Sequence, residues 1–266
     1  MSQKAALGVI GGGVMAEAIV SCLLAQGVYQ AETVLIGEPQ ASRREYWQSK
    51  YGVAVTADNN QVMQAETVLL AVKPQILDKV VAGLNWQTKP LILSILAGVT
   101  LEKLESVFPA CPVVRVMPNT PATVGAAMSA IAPSSQVTAA QLEIARKIFA
   151  AVGEVVTVPE YQMDAVTGLS GSGPAYVALM VEALADGGVA AGLPRAIALK
   201  LAIQTVLGTA QLLKETELHP AILKDRVSSP GGTTIAGVSA LEKAGFRAAA
   251  ISAVQAAYQR SQELGK

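Results

Sequence analysis

Histidine is nearly absent: the 266 residues hold one, His219, and only two cysteines, Cys22 and Cys111, far apart and outside any CxxC pair. Such a chain lacks the ligands of a structural zinc site and the imidazole pairs of nucleophilic catalysis. Two isolated thiols fit a reducing compartment. Charge is scarce as well, at 15 % of residues, and balanced at 20 Lys+Arg against 20 Asp+Glu. With no basic excess to neutralise phosphates, nucleic acid is excluded as a main partner. Asp164, Glu182 and Asp186 are neither clustered nor spaced as ligands, so no metal is assigned. Nor is there an uninterrupted apolar run of about 18 residues, the length a membrane span needs. Gly11–Gly13 and Glu17 break the apolar start, and Tyr176–Leu193 carries Glu182, Asp186 and Gly187-Gly188. The expectation is a soluble, cytoplasmic protein without a membrane partner.

What the chain has is apolar residues, 52 % of the total, which excludes disorder as its main state. The first part alternates short Val/Ile/Leu runs with helical patterns. Candidate strands are Ala5–Ile10, Thr33–Ile36, Val53–Val55, Thr67–Val72, Leu91–Ile95 and Val113–Met117. Their lack of strict alternation suits strands buried on both faces of a parallel sheet. A further strand–helix–strand passage follows, its helix opened by the capping box Thr138/Gln141 and its closing strand at Val155–Val158. This is an α/β pattern, a doubly wound Rossmann-type sheet over residues 1–160. From Asp164 onward only helices are expected, at 174–191, 194–215, 233–243 and 246–264, with Pro174 and Pro194 at first helical positions, Ser172 as a cap and Gly192 as a stop. Residues 161–266 thus form an all-α domain. Its alanine-rich helices are more apolar than one layer can bury, which points to subunit association.

The first strand runs into Gly11-Gly12-Gly13-Val14-Met15-Ala16 and then a helix. This is G-x-G-x-x-A in its proper context. Gly11 permits the tight turn, Gly13 lets backbone approach a pyrophosphate, and Ala16 brings helix close to strand. A dinucleotide is implied. Glu38 follows the second strand, where an acid accepts a ribose 2′-hydroxyl; Ser42, Arg43 and Arg44 follow and offer a 2′-phosphate site instead, or are solvated helix charges. The sequence leaves NADPH and NADH both open.

Further blocks stand in order behind the glycine turn: Ala71-Val72-Lys73-Pro74-Gln75, Ser94–Val99, Arg115-Val116-Met117-Pro118-Asn119-Thr120-Pro121, Asp164–Ala175 and Val227-Ser228-Ser229-Pro230-Gly231-Gly232-Thr233-Thr234. The set closely resembles the pyrroline-5-carboxylate reductases over essentially the whole chain. The resemblance implies reduction of 1-pyrroline-5-carboxylate to L-proline by NADPH, with NADH possible, the last step of proline biosynthesis. It implies that Ala71, Val72, Lys73 and Pro74, with Ile95, Leu96 and Ala97, border the nicotinamide half of the cofactor. Asn59 would face the adenosine side. Residues 161–266 would bind substrate and form a homodimer, assembled further into a decamer as a pentamer of dimers, with each site completed by a partner subunit. Gly12 departs from the family's usual alanine, and Val14 from its usual polar residue.

The residues suit that chemistry. A cyclic imine carries a proton on nitrogen near neutral pH and then accepts hydride directly, so orientation matters more than a strong base. Pro230, Gly231 and Gly232 shape a turn before a helix whose N–H groups converge on an anion, with Ser229, Thr233 and Thr234 beside them. By the resemblance, Thr234 is the partner or proton donor of the imine nitrogen. Lys73 reads equally as a cofactor contact or a solvated loop charge. His219 and Glu217 precede a short helix opening at Pro220, as a cap or as a water-mediated substrate contact. One alternative is a β-hydroxyacid dehydrogenase with Lys200 as proton handler, and another is a nucleotide-binding protein without catalysis.

Overall fold

The computed structural model describes residues 5–85 and 88–265; residues 1–4, 86–87 and 266 of the expected domain ranges lie outside them. The described chain separates into two compact units, one running through Ser172 and taking in the residues from Ala256 on, the other spanning Gly173–Gln255.

The first unit is built on eight strands: β1 (Leu7–Ile10), β2 (Val34–Gly37), β3 (Ala54–Thr56), β4 (Thr67–Leu70), β5 (Leu91–Ser94), β6 (Val113–Met117), β7 (Ala127–Pro133) and β8 (Gly153–Thr157). Their spatial order is β3-β2-β1-β4-β5-β6-β7-β8. The chain therefore reverses direction of winding between β1 and β4, and their register ends together, with Ile10 opposite both Gly37 and Leu70. Six helices connect the strands: α1 (Val14–Ala25), α2 (Ala41–Tyr51), α3 (Asn59–Val62), α4 (Leu77–Ala82), α5 (Leu101–Val107) and α6 (Ala139–Ala150). Side chains alternate between the two faces, as a strand period of two requires. Leu69, Leu91 and Leu93 join the core that holds Ile19, Trp47 and Phe149, whereas Val68, Leu70 and Ile92 join that of Leu77, Leu104 and Phe108. Both faces are covered, which is why the strands carry continuous Val/Ile/Leu runs.

Several details differ from the sequence expectation. The strand opening the last passage, which sequence pattern did not locate, is β7, and it pairs antiparallel with β6. Its alanines and serine give no Val/Ile signal. The capping box is present as expected, with Thr138 Oγ1 accepting from the Gln141 N–H. After β8, α7 (Met163–Val166) leads into a π-helical turn, Thr167–Gly171. Met163 is fully buried in the sheet's core, so the first unit extends past 160. Ser172 has right-handed helical backbone angles rather than the extended ones of an N-cap, and it ends the π turn directly ahead of α8: helical backbone runs through the expected break.

The second unit contains α8 (Gly173–Ala190), α9 (Arg195–Thr216), α10 (Pro220–Arg226), α11 (Thr233–Lys243) and the start of α12 (Phe246–Leu264). Pro194 is the residue before α9 rather than its first, with ψ at 140°. Helices α8 and α9 pack through Ala185, Ala198 and Ala202, where small side chains allow close approach. That core is small, and Leu179, Ile197, Leu201, Ile203 and Leu207 remain exposed. Although the sequence has no uninterrupted apolar run, α9 is long and apolar enough to cross a membrane by length and composition alone.

Candidate active site

The carboxyl ends of β1 to β6 all open on one edge of the sheet, and the glycine turn stands at their centre, at the reversal point where α/β sheets bind ligands. Gly11 has φ +99°, and a Cβ there would lie 2.7 Å from the Ala71 carbonyl oxygen, so only glycine brings β1 and β4 this close. Gly13 precedes α1, and no side chain caps that helix. Its first N–H groups are left for an anion, which the helix dipole favours.

A cavity lies on either side of the turn. The first, about 280 Å³, takes in Met15, Ala71, Val72, Ile95 and Ala97. All five belong to the residues expected from sequence. Met117, Pro118, Asn119, Thr120 and Gly171 complete it. The signal for these lay in the Arg115–Pro121 and Asp164–Ala175 blocks, but only the strand order places the end of β6 beside that of β5. Asn119 ties the far wall together, its Nδ2 donating to the Ser170 carbonyl of the π turn and its Oδ1 accepting from the Met128 N–H. The second cavity, about 420 Å³, lies toward β2 and β3 and includes Gly11, Gly37, Asn59 and Val72. Two clefts sharing Val72, with a free helix N-terminus between them, fit the two halves of a dinucleotide and its pyrophosphate.

Other expected residues sit differently. Leu96 is 2 % exposed and packs into the sheet's core, because the turn after β5 sends it inward between Ile95 and Ala97. It is not among the residues that line the cavity. Lys73 is exposed just beyond the first cavity's wall, and Pro74 starts a short helical turn. Val14 projects into solvent at 75 % exposure. Glu38 is nearly buried, its Oε2 accepting from the Gly12 N–H and its Oε1 from the Gln40 N–H, each at 3.0 Å. Neither arginine is a freely solvated charge. Arg43 Nε donates to the Gly12 carbonyl, and its Nη2 pairs with Glu17. Arg44 Nη1 donates to the carbonyls of Glu38 and Pro39. Burial pushes the Glu17 carboxyl up, but hydrogen bonds from Tyr46, Arg43, Tyr51 and Lys50 outweigh it and lower it to about 2.

In the second unit, Ser229, Pro230, Gly231 and Gly232 form the turn before α11. Gly231 has φ +66°, and the Gly232 N–H donates to the Ser229 carbonyl at 3.0 Å. No side chain caps α11, so the N–H groups of Thr233 and Thr234 begin an uncapped helix, with Thr234 half-buried and Ser229 and Thr233 exposed. His219 is the N-cap of α10, its Nδ1 accepting from the Ala221 N–H at 3.2 Å. That is the capping role of the two the sequence left open.

The pyrroline-5-carboxylate reductase dimerisation family matches residues 160–264, and a family described as NADP oxidoreductase, coenzyme F420-dependent, matches 6–98. A pyrroline-5-carboxylate reductase of Synechocystis sp. is 63 % identical over 98 % of both chains. The solved structure of a pyrroline-5-carboxylate reductase from Coxiella burnetii superposes with a TM-score of 0.92 at 36 % identity, covering 99 % of this chain and all of that one. One from Plasmodium falciparum, solved with NADP bound, gives 0.89 at 30 % identity over the whole of both. Alike in sequence along its whole length and alike in both of its units, the chain belongs to the pyrroline-5-carboxylate reductase family.

Proposed function

We propose that this chain reduces 1-pyrroline-5-carboxylate to L-proline with NAD(P)H, the last step of proline biosynthesis. The observation that carries the chemistry is the make-up of the first cavity: none of the described residues lining it ionises. Such a wall suits an acceptor that brings its own activation, a cyclic imine protonated on nitrogen. It does not suit oxidation of an alcohol, which needs a base within reach. The hydroxyacid alternative also gives way to the family match, and Lys200, on which it rested, is an exposed residue of α9.

When bound, the reduced nicotinamide supplies the hydride. The chain's own residues orient and exclude. Ala71, Val72, Ile95 and Ala97 form an apolar wall that keeps water from the reacting face, with Leu96 packed behind it. The N–H groups from Gly13 through Met15 receive the pyrophosphate. Asn59 and Glu38 border the adenosine side, where Arg43 and Arg44 have already committed donors to the chain itself. Lys73 and Pro74 shape the rim. Ser229, Gly231, Gly232, Thr233 and Thr234 hold the substrate carboxylate at the start of α11, and the Thr234 hydroxyl holds the proton at the imine nitrogen. We read the assembly as a homodimer, joined as a pentamer of dimers, in the cytoplasm, without nucleic-acid or membrane partners.

Loss of reduced-nicotinamide absorbance on adding 1-pyrroline-5-carboxylate tests the reading, with NADPH and NADH run in parallel. Oxidation with either is the expected result; silence with both would overturn it. Thr234→Ala should lower kcat by about 100-fold, the scale of a lost proton donor, with cofactor affinity unchanged. Equal turnover would remove Thr234 from the chemistry.

A further inference from the structure

The middle residue of the glycine turn is held from behind on both polar groups of its backbone. The Gly12 N–H donates to Glu38 Oε2 at 3.0 Å, and its carbonyl accepts from Arg43 Nε at 2.7 Å and from Trp47 Nε1 at 3.0 Å. A carbonyl oxygen has two lone pairs, so this one is saturated. All three partners come from the end of β2 and from α2, not from the turn. They are themselves fixed. Trp47 has no solvent exposure and, among the described residues, is the largest of the fully buried side chains. Arg43 is paired with Glu17, on the first turn of α1, and its guanidinium lies 4.4 Å from the Tyr46 ring centroid.

The same arrangement explains why position 12 carries no side chain. A Cβ there would lie 2.6 Å from Trp47 Nε1 and 3.3 Å from Glu38 Oε2. Gly12 is not among the glycines with positive φ, so its backbone would accept alanine. The exclusion comes chiefly from the indole, the one contact below 3.0 Å. Since the Gly12 peptide groups are spent on this contact, the donors left for an anion begin at Gly13.

We propose that Trp47, together with Arg43 and Glu38, is a positioning clamp for the cofactor. It fixes the Gly12 peptide so that the N–H groups from Gly13 onward stand in their binding arrangement before NAD(P)H arrives, and it makes glycine obligatory at position 12. A loop ordered in advance loses less entropy on binding, so the clamp acts on cofactor affinity rather than on hydride transfer. The inference rests on reading the turn as the cofactor site.

Isothermal titration with NADH and NADPH, alongside steady-state kinetics, tests it in five chains: unaltered, Trp47→Phe, Trp47→Leu, Gly12→Ala, and Gly12→Ala combined with Trp47→Leu. Trp47→Phe keeps an aromatic ring but loses the N–H. It should bind cofactor about five- to tenfold more weakly, the scale of one hydrogen bond, with kcat at saturating cofactor unchanged. Gly12→Ala removes nothing from the core and decides the matter if Trp47→Phe does not fold. Alone it should weaken binding more than about tenfold, as overpacking does, whereas in the Trp47→Leu chain the same methyl group should cost less than about threefold. Cofactor affinity unaffected by Trp47→Phe, or a Gly12→Ala penalty independent of residue 47, would overturn the clamp and leave the cofactor site standing. Failure of the unaltered chain to bind either cofactor would overturn both.

Discussion

Gly13 and Gly12 are neighbours with opposite surroundings. A Cβ at Gly13 would meet nothing within 4 Å, and its φ of −76° is open to any residue. Gly13→Val should therefore leave the melting temperature unchanged while placing a branched side chain where the pyrophosphate must come. The expected outcome is a loss of more than about 100-fold in cofactor affinity by titration, the scale of a blocked backbone approach. Normal binding would show that the motif has been misread. The glycine motif was legible in sequence because its signal is local, a turn between a strand and a helix. Trp47 was not, because its acceptor stands 35 positions earlier, and an aromatic residue on α2 reads simply as core. Leu96 was assigned with its flanking residues, and no sequence pattern says which residue of a three-residue turn faces inward.

Elements were read more fully than residues. The bounds of α11 and α12 agree with the spacing of their apolar residues and with Gly245 between them, and β6 was placed residue for residue. The strand β7 escaped because alanine carries no strand preference and its pairing with β6 is a long-range choice. One contact binds elements that no local pattern connects. Arg115 on β6, with a side chain only 5 % exposed, pairs with Glu160 Oε1 at 2.7 Å, and the same oxygen accepts the Leu101 N–H at the start of α5. Asp164 lies 3.9 Å from the guanidinium and accepts the Ser261 hydroxyl near the end of α12 at 2.7 Å. Arg115→Met would leave Glu160 without its cation. It should cost about 2 kcal/mol in urea unfolding, below the full loss of a buried pair because Glu160 keeps some water. A cost near zero would show that solvent replaces the arginine.

At the scale of the whole molecule, the composition had already indicated association, since the helical residues are more apolar than one chain can cover. The exposed Ile197, Leu201, Ile203 and Leu207 of α9 meet that expectation, and the matched family is a dimerisation domain. By sedimentation velocity the unaltered chain should run as a dimer or a larger multiple of it. Leu201→Glu, which sets a charge on that apolar face, should yield monomers that still bind NAD(P)H through the first unit. Unchanged sedimentation would place the interface elsewhere. The size of the assembly was not legible from the residues alone, because it depends on surfaces whose pattern has no period. The last turns of α12 belong to the first unit, where Ser261 closes on Asp164 and Leu264 lies against Gly98. Those turns are synthesised after every residue of the second unit. The first unit therefore cannot be completed until all of the second has emerged from the ribosome, so the two units reach their finished state together rather than one after the other.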